Sequence, residues 1–226
     1  MRTVIQGQRN KEPTRREKRR LAILDAAREI FLQQGYGATS LNDIVSVSGG
    51  SLATLYDLFG GKAGLFRETI EQECQNFFGV LDSEDIDEQP LLEALRIVAR
   101  QFFDGVIQQP KRSLLRVVVA EAPQFPEVGA TFYSAGPERG REMVSTYLEK
   151  QSRRGLLRVD DPVRAADVFI SLVIGEYQMK VLCGEEVKLA PEEVDRHLDW
   201  VLDAFLKIYS HERLDPAMQV TDACGV

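Results

Sequence analysis

Two glycine pairs, Gly49–Gly50 and Gly60–Gly61, cut the stretch ATSLNDIVSVSGGSLATLYDLFGGKAGLF (residues 38–66) into pieces too short to be stable helices alone. Ser40, with Asp43 three residues on, forms a capping-box-like start for one short helix. Ser51 can cap the next, which runs through Phe59 to the second glycine pair. A further helix then begins near Lys62 and continues towards Phe78. Leu55 and Phe59 fall at i and i+4, so they fill the platform under the second short helix. An enzyme core rarely needs so compact a unit so near the N-terminus. A DNA reader does, because a short helix must project from a small rigid base into a major groove.

Charge divides in the same place. Residues 1–66 carry ten Lys and Arg against six Asp and Glu, and the rest of the chain carries 18 against 29. A positive head on a negative body, within a net charge of −7, confines polyanion binding to the head. Residues 1–18 are polar, basic and interrupted by Pro13, which predicts a flexible arm. A helix follows to about Gln34, with Ile23, Ala27, Ile30 and Phe31 on one apolar face and Gly35 at its left-handed cap.

Beyond an acidic loop at Asp82–Gln89, prolines punctuate a helical pattern. Pro90, Pro110, Pro126, Pro137, Pro162 and Pro191 each precede an apolar-periodic stretch, as proline does in a first helical turn. Gly155 and Gly184 stand at plausible helix ends, and Val117–Val119 reads as buried helix rather than strand. The expected fold is all-α. Its expected divisions are a basic arm at 1–18, a helix-turn-helix domain at 19–66 with a connecting helix at 62–80, a helical regulatory and dimerisation domain at 81–212, and a tail at 213–226.

Several function classes find no support. Cys74, Cys183 and Cys224 form no C-x-x-C pair, so neither a disulfide framework nor a zinc site is suggested. No phosphate loop is present, because Tyr56 stands where a glycine must precede Gly61–Lys62. No G-x-S-x-G or H-E-x-x-H occurs, and the two histidines, His197 and His211, read as surface residues. An enzyme is the remote alternative. A redox sensor using Cys74 or Cys183 is a nearer one, although helical cysteines are more often inert and buried. No apolar run reaches the length of a membrane span and no signal-peptide core opens the chain, so the cytoplasm is expected, with no membrane partner and no cofactor.

The run from Ile23 to Phe66, with ILDAAREIF, GYGATSLNDI, GGS–ATLYDLF and GKAGLF, closely resembles the N-terminal domain of TetR-family transcriptional repressors. Residues 116–140 (RVVVAEAPQFPEVGATFYSAGPERG) resemble, more loosely, the ligand-binding domain of the AefR-like branch. The resemblance implies a three-helix DNA-binding head, a helical regulatory domain, operator DNA and a small-molecule effector as partners, and a homodimer built from the last two long helices. Leu52 departs from the pattern, which usually has lysine there, and Asp57–Leu58 replace a bulky or basic polar pair.

Only the first turns of a recognition helix reach base edges, which nominates Ser51, Leu52 and Thr54, with Leu52 suited to a thymine methyl. Tyr56 and, by resemblance, Lys62 are expected at phosphates. Thr39 and Ser40 can donate hydroxyls and amides to another phosphate. Arg19 and Arg20 have the reach for phosphates or the minor groove. Tyr56 as a core-edge tyrosine and Arg15–Arg20 as a solvated helix start are the plainer alternatives.

In the regulatory half, an effector cavity is expected among Phe102, Phe103, Val106, Arg116, Val119, Phe125, Phe132, Tyr133 and Tyr177, with Glu121 and Glu176 as polar anchors. Glu176 is the sharpest hint, being a carboxylate in an otherwise apolar face, where either a ligand or a hydrogen bond at a dimer interface accounts for it. The aromatic content suggests an apolar or aromatic effector. The helices near 162–184 and from Pro191 are apolar on more than one side, which points to a subunit interface at Ile170, Ile174, Val181, Leu198, Val201, Leu202 and Phe205, with ordinary monomer core as the plainer alternative.

Overall fold

A computed structural model describes residues 14–79, 85–108 and 111–210, and every regular element among them is helical. In chain order these are α1 (Arg15–Ala38), α2 (Leu41–Ser48), α3 (Leu52–Phe59), α4 (Lys62–Phe78), the single turn α5 (Asp85–Glu88), α6 (Leu91–Ile107), α7 (Lys111–Glu121), α8 (Pro126–Tyr133), α9 (Arg139–Arg153), α10 (Pro162–Leu182) and α11 (Pro191–Tyr209). The chain divides into two compact units between Thr69 and Ile70, a point inside α4.

In the first unit, α1 packs on α2 and α2 on α3. The helix starts earlier than position 19. Thr14 accepts from the Glu17 amide while the Glu17 carboxylate accepts from the Thr14 amide, a full capping box that draws Arg15–Lys18 into α1. Residues 1–13 of the expected arm lie outside the described residues. Gly35, at φ 82°, interrupts the helix where a cap was predicted, but one further turn continues to Ala38. Phe31, Tyr36 and Phe66 form a buried aromatic cluster with centroids 5.0–5.9 Å apart. Leu55 and Phe59 anchor α3 in this core, as their spacing predicts. Gly64 allows α4 to pass close to α3, since a Cβ there would overlap the Phe59 carbonyl oxygen.

The second unit is built around α10, which packs against α6, α9 and α11. The buried stripe of α6 (Ala94, Leu95, Val98, Ala99, Phe102, Phe103, Val106) has the spacing of one helix face. Phe169 of α10 meets Phe205 of α11 edge to face at 5.0 Å. Pro126, Pro162 and Pro191 occupy first helical positions, whereas Pro90 is the residue before α6. Pro137 differs from its expected place: it lies in a π-helical turn, Ser134–Glu138, that joins α8 to α9 without a break. A wider turn accommodates a residue with no amide hydrogen. Pro110 and the tail 213–226 lie outside the described residues. Part of the acidic stretch is helical, since 85–88 form α5, held by Lys150 Nζ 2.5 Å from Asp87.

Candidate functional site

The head presents an open groove lined by Arg15, Arg16, Lys18 and Arg19 of α1 and by Gly50, Ser51, Thr54, Asp57 and Leu58 around α3. Local chemistry sets the angle of α3. Ser51 caps it by accepting from the Thr54 amide at 3.2 Å, and the Ser51 and Thr54 hydroxyls lie 3.0 Å apart. Arg19 donates to the Ser48 carbonyl at 2.9 Å and so ties α1 to the turn that precedes α3. Arg20 pairs with Glu68 and lies over the Phe59 ring. Arg16 pairs with Asp57 at 3.3 Å, both side chains being well exposed. Leu52 is 36% exposed and Tyr56 55%, so both project from α3.

At the start of α2 the groups expected to meet phosphate already have partners. Thr39 is buried and donates its hydroxyl to the Gly35 carbonyl at 2.7 Å, closing the interruption in α1. The Ser40 hydroxyl accepts from the Asp43 amide and donates to the Asp43 carboxylate at 2.7 Å. That donation, with a second from the Ser40 amide to the same carboxylate, holds the Asp43 carboxyl below its ordinary value. Lys62 donates to the Gly37 carbonyl at 3.1 Å with its ammonium 4.6 Å from the Tyr36 ring centroid.

The second unit contains a cleft of about 290 Å³. Phe77 and Phe78 of α4, Phe102 and Val106 of α6, Leu114 and Leu115 of α7, and Phe132 and Tyr133 of α8 form most of its apolar wall. Ile170 and Ile174 of α10 complete it, and Glu73, Arg141, Asp167, Ser171 and Gln178 bring polar groups. The π-helical turn contributes Gly136 and Pro137. Gly105 leaves room for the Phe77 ring, which a Cβ would strike. Cys74 also lines the cleft, and burial pushes its thiol up to about 11, so it stays protonated at neutral pH. A buried, protonated thiol makes Cys74 a poor redox group. Cys183 is exposed, and Cys224 lies outside the described residues.

Residues 93–211, over half of the chain, match the AefR-like transcriptional repressor C-terminal domain, and residues 23–69 match the bacterial regulatory proteins of the tetR family. The chain belongs to the TetR family. It is therefore a transcriptional regulator rather than an enzyme. This TetR-family regulator is similar to the HTH-type transcriptional regulator YvkB of Bacillus subtilis, at 23% identity over 76% of this chain and 87% of that protein. It is 32% identical to the HTH-type transcriptional repressor Rv3405c of Mycobacterium tuberculosis over 52% of this chain and 66% of that one. Among solved structures, the flavonoid-responsive regulator FrrA superposes with a TM-score of 0.75 at 32% identity, covering 86% of this chain and 98% of FrrA. A TetR-family regulator from Mesorhizobium loti superposes with a TM-score of 0.79 at 26% identity, over 87% and 99% of the two chains. No helix among the described residues is long and apolar enough to cross a membrane.

The regulator's cleft gathers four of the predicted effector residues, Phe102, Val106, Phe132 and Tyr133, and not the others. Phe103 is fully buried against Tyr177 and His197, with ring centroids 5.0 and 5.1 Å away. Half-buried His197, whose Nε2 lies 2.8 Å from the Val173 carbonyl, is thus not the surface residue expected. Arg116 and Val119 are exposed on α7, while Glu121 and Phe125 are half-buried outside the cleft. Glu176 is exposed and takes Lys180 as its partner at 2.8 Å. Gly175, at φ 36° and ψ −130°, explains the shift: it kinks α10 and resets the phase of every residue after it.

The residues expected at a subunit interface also divide differently. Val181, Leu198, Val201, Leu202 and Phe205 are 0–1% exposed within their own chain and have no surface left to give a second one. Ile170 and Ile174 line the cleft. The α4 rings were missed because what makes room for them lies far along the chain, as Gly105 of α6 does for Phe77.

Proposed function

We propose that this regulator is a homodimeric repressor released from operator DNA when a small apolar or aromatic molecule occupies the cleft of the second unit. The aromatic wall of Phe77, Phe78, Phe102, Phe132 and Tyr133 around about 290 Å³ is the observation that carries the reading. FrrA, whose name records a response to flavonoids, supports a flat aromatic effector. The last turns of α4 form part of the wall while Lys62 opens the same helix in the head, so a ligand that displaces Phe77 or Phe78 acts along one continuous element.

On DNA, Arg15 and Lys18 take phosphates along the groove while Arg16 holds Asp57, and Tyr56 and Lys62 take further phosphates. Arg19 and Arg20 act chiefly by fixing the helices of the head, Arg19 through Ser48 at the end of α2 and Arg20 through Phe59 of α3 and Glu68 of α4. Ser40 and Thr39 set the start of α2, whose helix dipole favours an anion there. The dimer forms through residues of α10 and α11 that keep surface of their own: half-buried Val168 and Leu172 one turn apart, exposed Met179 beyond the kink, and exposed Trp200 and Ile208 on α11.

The test is fluorescence anisotropy of labelled operator duplex with the full protein, titrated with flavonoids and simpler aromatic compounds. Release of the duplex by at least one compound is expected, with the dose response displaced at least tenfold by Phe132→Ala and operator affinity unchanged in its absence. Ligand-induced release that is identical in wild type and Phe132→Ala would overturn the assignment of the cleft.

A further inference from the structure

Most of α3's hydrogen-bonding capacity is absent or already engaged. Between Gly50 and Gly61 the chain has no Arg, Lys, Asn or Gln, the residues that read guanine and adenine bidentately in the major groove. Ser51 and Thr54, which could contact a base edge, hydrogen-bond each other at 3.0 Å, and Ser51 Oγ also accepts the Thr54 amide. Asp57 has Arg16 at 3.3 Å. What the first turn leaves exposed is the isobutyl group of Leu52 and the methyl of Ala53. Arg15, Arg16, Lys18 and Arg19 line the adjoining groove and give the surface the charge that duplex DNA demands.

The major-groove edge offers one apolar group, the C5-methyl of thymine. We infer that this regulator identifies its operator chiefly through thymine methyls packed against Leu52 and Ala53, with phosphate contacts supplying affinity and sequence-dependent shape supplying the rest. Each half-site then carries one or two thymines whose methyl groups matter and whose hydrogen-bonding edges do not. The inference rests on the operator-binding reading above and concerns how that operator is read.

The experiment begins with selection by the full-length protein from a random duplex library. The enriched duplex is then resynthesised with deoxyuridine replacing thymidine one position at a time, which removes a methyl and leaves every hydrogen-bonding group in place. Loss of one buried methyl is expected to weaken binding about fourfold at one or two positions in each half-site. In Leu52→Ala, checked for folding by circular dichroism, the unsubstituted duplex binds more weakly and at least one of those deoxyuridine effects disappears. Equal binding of every deoxyuridine duplex by the wild-type protein would overturn the inference while leaving operator binding intact. Deoxyuridine losses that persist unchanged in Leu52→Ala and Ala53→Gly would also overturn it, since the methyl would then act through DNA shape. A selection that enriches no duplex overturns the operator-binding reading itself.

Discussion

Cys74 and Cys183 show how burial sorts identical side chains. The Cys74 thiol, raised to about 11, lies in the cleft wall, while Cys183 is exposed after α10. With Cys224 replaced by Ser, a disulfide reagent at pH 8 should titrate one thiol quickly and the second only on unfolding. A fast second thiol would show that the cleft opens to reagent. Tyr147 gives a pH-dependent counterpart. Burial first, then the Asp87 carboxylate, pushes its hydroxyl up to about 12, while Arg154 works weakly the other way. A raised folded-state value means that the stabilisation is complete below about pH 10, the ordinary tyrosine value, and is lost as pH rises towards about 12. Denaturant midpoints measured from pH 8 to 12 should therefore fall more steeply for the wild type than for Tyr147→Phe.

At the scale of elements, close approach governs the head. Gly64→Ala places a Cβ onto the Phe59 carbonyl and should destabilise the first unit by about 1–3 kcal/mol, as overpacked contacts do, with operator binding lost in proportion to unfolding. Thermal melts followed by circular dichroism give the size. Phe66→Ala empties the centre of the Phe31–Tyr36–Phe66 cluster and should cost about 3–5 kcal/mol. The same elements show what local sequence encodes. The caps of α2 and α3, at Ser40 and Ser51, were legible because a capping hydroxyl and its target amide lie three residues apart. The start of α1 was misplaced because Thr14–Glu17 is an equally local signal, masked by the run of basic residues that follows it.

For the whole molecule, the single tryptophan is the natural reporter of assembly. Trp200 is 60% exposed on α11, and Ile208 two turns later is equally so. Trp200→Glu should weaken the proposed dimer by about 30-fold or more, the effect of losing an aromatic anchor, as read by sedimentation equilibrium. Unaltered association would move the interface away from α11. Leu198→Glu, by contrast, should unfold the second unit rather than dissociate a folded dimer, because Leu198 is 1% exposed within its own chain.

The helical class, the short glycine-bounded helices of the head, the positive charge gathered there and the family were all readable from the residues alone. Each of these rests on residues close together in the chain or on sums over it, and such signals survive without coordinates. Packing in three dimensions sets which apolar faces of α10 and α11 point inward, that α4 lends its rings to the cleft, and that Glu176 meets Lys180 in solvent. A helix apolar on several sides carries no record of which side its neighbours will take. Once Gly175 breaks the helical phase, counting residues along α10 assigns the following turns to the wrong face.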